Sequence, residues 1–251
     1  MLFIRQILFN ILFYSLTAVL CVVLLPFTLL PRRRYIFFLT LYFKFVHVLE
    51  KYVLGLDFVV RGAENIPASG AFIVAAKHYS AYETMKPHVL FHDPAIIMKN
   101  ELKYIPIWGW LAVKARMIFI NRRAGDTALK SIIEGAKRIR REGRPLVIFP
   151  QGTRVSIEDT PLTKPYKGGV IRVYEAAELP ILPLAMNSAL FWKKKAFFKY
   201  PGKVIFEFLP MIPAGLKGSE AMERLKDALE TNSNRLIAEE LENRRKAKIN
   251  A

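Results

Sequence analysis

Cysteine is almost absent from this chain. The single thiol, Cys21, lies in an apolar stretch near the N-terminus, which excludes an intramolecular disulfide and any cysteine-based metal cluster. Histidine is scarce too, at 4 residues, and no histidine–carboxylate cluster has ligand spacing, so no metal is implied. Acidic charge is in short supply: 21 aspartates and glutamates stand against 38 lysines and arginines, a formal net charge of +17. Internal repeats and low-complexity linkers are missing. With 251 residues, a second full domain would leave neither half enough chain for a core. One α/β domain plus an anchor fits.

The excess of cations points to nucleic acid, to an anionic membrane surface or to anionic substrates. Hydrophobic residues make up 53% of the chain, high for a soluble nucleic-acid binder, and no nucleic-acid recognition motif is present. Membrane and anionic substrate are the partners expected; nucleic acid is not.

Residues 7–30 are almost wholly apolar, long enough for the roughly 20 residues that a bilayer core demands. A cleaved signal peptide needs a shorter core and a small-residue cleavage site, whereas here Arg32, Arg33 and Arg34 follow. A retained anchor is expected, with those arginines on the cytoplasmic side by the positive-inside rule. Residues 35–56 form a second apolar segment broken by Lys44, His47, Glu50 and Lys51, the pattern of an interfacial helix. The sequence leaves open a true span or a hairpin in one leaflet. The expected division is an anchor over 1–56, a catalytic domain over 57–215, and a C-terminal helix with a basic tail over 216–251.

Beyond the anchor, β-type runs at 72–76, 96–98, 117–120, 146–149, 181–186 and 204–208 alternate with helical patterns. Residues 126–142 carry Leu129, Ile132, Ile133, Ala136 and Ile139 at helical spacing, their last turns hold Lys137, Arg138, Arg140 and Arg141, and Gly143 suits a left-handed cap. Helices are also expected over 170–177 and from about residue 219 onward. Alternation of this kind predicts an α/β fold, a mixed sheet layered with helices.

Catalytic groups in such folds gather at the carboxyl ends of strands. The strand 72–76 delivers His78 there, and Glu83 follows five residues later. Histidine accepts a proton near neutral pH when a partner fixes its tautomer. On a continuous helix the two would stand about 140° apart, so they meet only if the chain turns between them. A strand-end histidine satisfied by backbone is the structural alternative. His47, His88 and His92 have no such context.

Two further strands end in basic segments, Asn121-Arg122-Arg123 and Pro150-Gln151-Gly152-Thr153-Arg154. Gly152 permits close backbone approach, Thr153 adds a hydroxyl and Arg154 a forked cation, a plausible phosphate cradle. Lys167-Gly168-Gly169 opens a helix whose N–H groups could meet an anion.

His78-Tyr-Ser-Ala-Tyr-Glu83, Ile118-Phe-Ile-Asn-Arg122, Phe149-Pro-Gln-Gly-Thr-Arg154 and Leu179-Pro-Ile-Leu-Pro183 resemble, in order and spacing, the four blocks of the 1-acylglycerol-3-phosphate acyltransferase family. The resemblance runs from about residue 56 to 213. It implies a glycerolipid acyltransferase-like fold and acyl transfer from acyl-ACP or acyl-CoA to a lysophospholipid, with no other cofactor. It makes His78 and Glu83 the catalytic pair and Arg122, Gly152, Thr153 and Arg154 the phosphate site, with Lys99 and Lys167 in support. Two positions depart from the family pattern: Glu83 replaces the usual aspartate, and Gln151 the usual glutamate. The loss of a carboxylate at 151 is expected to remove negative charge beside the phosphate.

Direct transfer, with His78 as general base, competes with a serine acyl-enzyme on Ser80; no nucleophile elbow surrounds that serine. Residues 190–200 mix aromatics and lysines as a membrane-interface patch does. The alternatives to lysophosphatidic acid are another lysolipid, glycerol 3-phosphate, or a non-catalytic protein that holds anionic lipid. The expected location is a bacterial-type inner membrane, with the catalytic domain on the cytoplasmic face.

Overall fold

A computed structural model describes residues 2–121 and 124–249. Among these residues seven strands form one mixed sheet: β1 (Leu56–Arg61), β2 (Phe72–Ala76), β3 (Ala95–Lys99), β4 (Ile118–Ile120), β5 (Pro145–Ile148), β6 (Ile181–Met186) and β7 (Gly202–Phe208). Their order is β1-β7-β6-β2-β5-β3-β4. From β6 to β4 the neighbours are parallel, so five carboxyl ends share one edge. β7 runs antiparallel to β6, and β1 lies parallel to β7.

The helices form two layers. On one face lie α1 (Leu2–Leu24), α2 (Arg32–Leu49), two short turns α3 (Tyr82–Met85) and α4 (Pro87–Leu90), and α5 (Trp108–Lys114). On the other lie α6 (Asp126–Glu142), α7 (Gly169–Ala177) and α8 (Gly218–Ile249). Alternate side chains of the central strands feed two cores. Phe72, Val74 and Ala76 join the first with Phe206 and Tyr35, while Ile73 and Ala75 join the second with Ile139, Val173 and Leu225. Every residue of β2, β5 and β6 is buried, as expected of parallel strands covered on both faces.

β6 also meets α8. Leu225 and Leu229 of α8 are fully buried, each worth about 1.5–3 kcal/mol of apolar burial. Gly143 closes α6 in the left-handed conformation at φ 64°. The strand β1 breaks the expectation that helix runs on to residue 56: α2 passes into a π-turn over Glu50–Leu54, and Gly55, at φ 70°, turns the chain into the sheet. Leu56 is thus the first residue of a strand.

α1 and α2 are a docked hairpin. At the carboxyl edge of the parallel strands the buried Gln6 donates to the Lys199 carbonyl at 2.8 Å and accepts from its N–H at 3.0 Å. At the opposite edge Arg32 grips Asp93 through both terminal nitrogens, each at 2.6 Å. Arg32 thereby ties the start of α2 to the segment that leads into β3. α1 is long and apolar enough to cross a bilayer, and its outward side chains are almost all apolar.

Candidate active site

His78 leaves the carboxyl end of β2 through a short loop, and the chain then turns into α3, which carries Glu83. That turn brings Nδ1 of His78 within 2.8 Å of Glu83 Oε1. The same oxygen accepts the backbone N–H groups of Tyr79 and Ser80, each at 2.5 Å. Oε2 accepts the Ser80 hydroxyl at 3.0 Å and the Ser188 hydroxyl at 3.3 Å. Five donors converge on a carboxylate only 1% exposed, so its position is over-determined.

The imidazole lies against the Phe149 ring, centroids 4.3 Å apart. With Nδ1 held by the carboxylate, Nε2 is the nitrogen left for chemistry. Ser80 is buried, its Oγ donating to Glu83 and accepting the Tyr82 N–H at 3.1 Å. It is a turn-holding residue, not an exposed nucleophile.

The loop after β5 reaches the same edge. The Val155 N–H donates to the His78 carbonyl at 2.7 Å, tying the 150–155 loop to the histidine directly. Gly152 turns that loop at φ 65°, and the Lys167 side chain runs beside it, Cδ 3.3 Å from where a Cβ would stand. The Lys167 N–H donates to the Pro150 carbonyl at 2.9 Å. Both residues line a cleft of about 290 Å³ with Ile120, Leu129, Ile148 and Phe149, between the starts of α6 and α7. Thr153 is exposed and Arg154 half-buried, its carbonyl held by Lys194 Nζ at 2.7 Å. Lys99 stands exposed at the end of β3. Arg122 lies outside the described residues. His78, Glu83, Gly152, Arg154 and Lys167 thus share one sheet edge.

Gln151, between Pro150 and Gly152, is buried at 3% exposure and faces away from solvent. His88 is buried and stacks flat on Phe43, centroids 4.3 Å apart.

Two contributors escaped the sequence reading. Ser188 follows β6 at the same carboxyl edge and was findable by the rule that found His78. Lys86 and Glu50 form a fully buried ion pair, with Lys86 Nζ 4.3 Å from the centre of the Tyr82 ring and 3.4 Å from His47 Nδ1. It fastens α4 to the end of α2, directly behind the Glu83 turn. Burial pushes the Lys86 ammonium pKa below its usual value, and the adjacent Glu50 carboxylate opposes that shift. No local pattern announces this pair.

Comparison with known proteins decides the class. The profile of the family described as Acyltransferase matches residues 57–187. The chain is 32% identical over 216 residues to the 1-acyl-sn-glycerol-3-phosphate acyltransferase of Pseudomonas aeruginosa, covering 86% of this chain and 81% of that one. The chain belongs to the acyltransferase family. It is also 31% identical over 171 residues to the 1-acyl-sn-glycerol-3-phosphate acyltransferase of Borreliella burgdorferi, covering 67% of this chain and 66% of the other. Among solved structures, the 1-acyl-sn-glycerophosphate acyltransferase PlsC of Thermotoga maritima superposes with a TM-score of 0.73 at 26% identity, over 92% of this chain and 97% of that one. This acyltransferase therefore has the mixed, helix-layered sheet expected of it.

Proposed function

We propose that this acyltransferase moves a fatty acyl group from acyl-ACP or acyl-CoA to the sn-2 hydroxyl of 1-acylglycerol 3-phosphate, giving phosphatidic acid. The observation that carries the reading is the His78–Glu83 contact of 2.8 Å at the carboxyl edge, on the same loop system as Gly152, Arg154 and Lys167.

His78 Nε2 takes the proton from the acceptor hydroxyl as that oxygen attacks the thioester carbonyl. Glu83 accepts the Nδ1–H, fixes the tautomer and steadies the imidazolium as it forms. The tetrahedral intermediate then expels the thiolate, which recovers the proton from Nε2. No covalent enzyme intermediate is required, in keeping with the buried, doubly bonded Ser80. Gly152, Thr153, Arg154 and Lys167 hold the acceptor phosphate, with Arg122 and Lys99 as its further cations. The protein needs no cofactor beyond the acyl thioester.

The chain associates with a membrane through α1 and α2. Because that hairpin is bonded to the catalytic domain at both ends, it supports insertion into one leaflet rather than a detached span. The active-site edge then lies at the lipid boundary, on the cytoplasmic face of a bacterial-type inner membrane.

The test is mass spectrometry of products from purified protein given mixed acyl-ACP and acyl-CoA, with lysophosphatidic acid, lyso-ornithine lipid, lysophosphatidylglycerol and glycerol 3-phosphate as competing acceptors. Phosphatidic acid as the main product, lost in His78→Ala, is expected. Preferential acylation of another acceptor overturns the substrate assignment, and full activity in His78→Ala overturns the mechanism.

A further inference from the structure

Directly before His78 stands Lys77, a lysine whose side chain is only 4% exposed. A buried ammonium needs a partner, and its partner is Glu230, at 2.9 Å from Oε2. The other oxygen of the same carboxylate, Oε1, accepts the Tyr166 hydroxyl at 2.7 Å. Tyr166 directly precedes Lys167. Its segment is fastened to the loop after β5 by the Lys167–Pro150 backbone bond, and that loop is fastened to His78 by the Val155–His78 bond. One carboxylate therefore closes a ring through both halves of the site: one oxygen on the histidine loop, the other on the loop that borders the cleft.

Glu230 comes from α8, outside the residues 57–187 matched by the family profile. Docking of α8 does not depend on it alone, since Ala221, Leu225 and Leu229 bury the apolar face of that helix. The neutral amide of Gln151 completes the picture. It stands between Pro150, whose carbonyl takes the Lys167 N–H, and Gly152, which the Lys167 side chain flanks, so it lies beside Tyr166 in a buried setting where a second carboxylate would repel the first. A glutamate at 151, as in the resembling blocks, and a glutamate at 230 are thus alternatives for one charge.

We propose that Glu230 is a positioning residue for acyl transfer, acting through Lys77 and Tyr166 to set His78 against the 150–155 loop, and that it takes over the charge missing at Gln151. This rests on the acyl-transfer reading of the site, without depending on which lysolipid is the acceptor.

The experiment uses the full chain in mixed micelles, with whichever lysolipid the wild type acylates. A wrong acceptor thereby fails the earlier reading and leaves this comparison intact. Glu230→Gln is expected to lower kcat by about ten- to a hundredfold, the effect of a small misplacement of the base, with KM moving less than about threefold. Gln151→Glu in the Glu230→Gln background returns the charge from the other side and is expected to restore kcat to within about threefold of wild type. Gln151→Glu alone is expected to lower it. Leu229→Ala serves as the control: it loosens α8 and lowers the melting temperature but leaves kcat unchanged at temperatures well below melting. Wild-type kcat in Glu230→Gln overturns the proposal. So does failure of the double variant to recover while its melting temperature matches that of wild type, or a kcat loss in Leu229→Ala as large as that in Glu230→Gln.

Discussion

At the residue scale, the His78–Glu83 pair makes the sharpest prediction. His78→Ala removes the proposed proton acceptor and should cost about 10²–10⁴-fold in kcat, measured as transfer of a labelled acyl group. Glu83→Asp keeps the charge but retracts it by one methylene, so it should retain more activity than Glu83→Ala. Ser188 donates to Glu83 over 3.3 Å, a long bond. Ser188→Ala should cost less than about tenfold, because the bond is long and four other donors already hold the same carboxylate. The spacing of His78 and Glu83 could not by itself show that they meet, because five residues on a helix would have parted them. What joins them is the non-helical loop between β2 and α3, and the backbone N–H groups of Tyr79 and Ser80 that this loop aims at the carboxylate. His88 yields a different kind of prediction. Burial and the nearby Arg144 guanidinium lower its pKa from 6.5 to about 3, so it stays neutral when folded. The unfolded chain binds a proton there first, so stability falls as pH drops from about 6.5 toward 3 and is unaffected by this group above that window. Chemical-denaturation midpoints should show that slope in wild type and a shallower one in His88→Phe, which keeps the stack on Phe43.

At the scale of elements, periodicity reported what lies on one face, and little about what lies between faces. α6 was legible to the residue, because its apolar stripe, its cationic last turn and Gly143 agree. The parallel strands were legible as short apolar runs, since both of their faces are covered. β1 was not. Its residues continue the apolar character of α2, and only Gly55, at φ 70°, marks the change from helix to strand. Gly62 ends that strand at φ 66°, where a Cβ would stand 2.1 Å from the Phe208 carbonyl oxygen. Gly62→Ala should therefore cost at least the roughly 1–3 kcal/mol of a strained left-handed residue and lower the melting temperature accordingly. The Lys86–Glu50 pair was invisible for a related reason. Its members are 36 residues apart, on elements whose packing no local pattern records. Each alone would be a costly buried charge, so Glu50→Leu or Lys86→Met should destabilise by about 3–5 kcal/mol, while the two together should recover most of it. A thermal-melt double-mutant cycle reads this directly. Additive losses would show that the two charges do not need each other.

For the whole molecule the question is what would hold it to a membrane, and two forces compete. The apolar outer face of the hairpin includes Phe3 at 57% exposure, Phe37 at 65% and Tyr52 at 74%. Phe197 and Phe198 continue that surface, with rings 6.2 and 6.5 Å from Phe3, at the catalytic edge. Around them stand exposed lysines, each worth about 1 kcal/mol against an anionic leaflet. A fully inserted phenylalanine is worth about 1.5–3 kcal/mol and is indifferent to salt. The hairpin offers many more such side chains than the loop offers lysines, so burial should dominate. Raising the salt from about 0.1 M to 1 M shortens the screening length from about 10 Å to 3 Å and removes most of the lysine contribution. In a vesicle flotation assay the full chain should nevertheless stay bound. Lys193→Glu with Lys195→Glu should lower affinity for anionic vesicles at low salt only. Lys194 is left in place because its ammonium holds the Arg154 carbonyl. Release of the wild type by salt alone would mean that charge, not insertion, carries the attachment, and the active-site edge would then have no fixed depth at the lipid boundary.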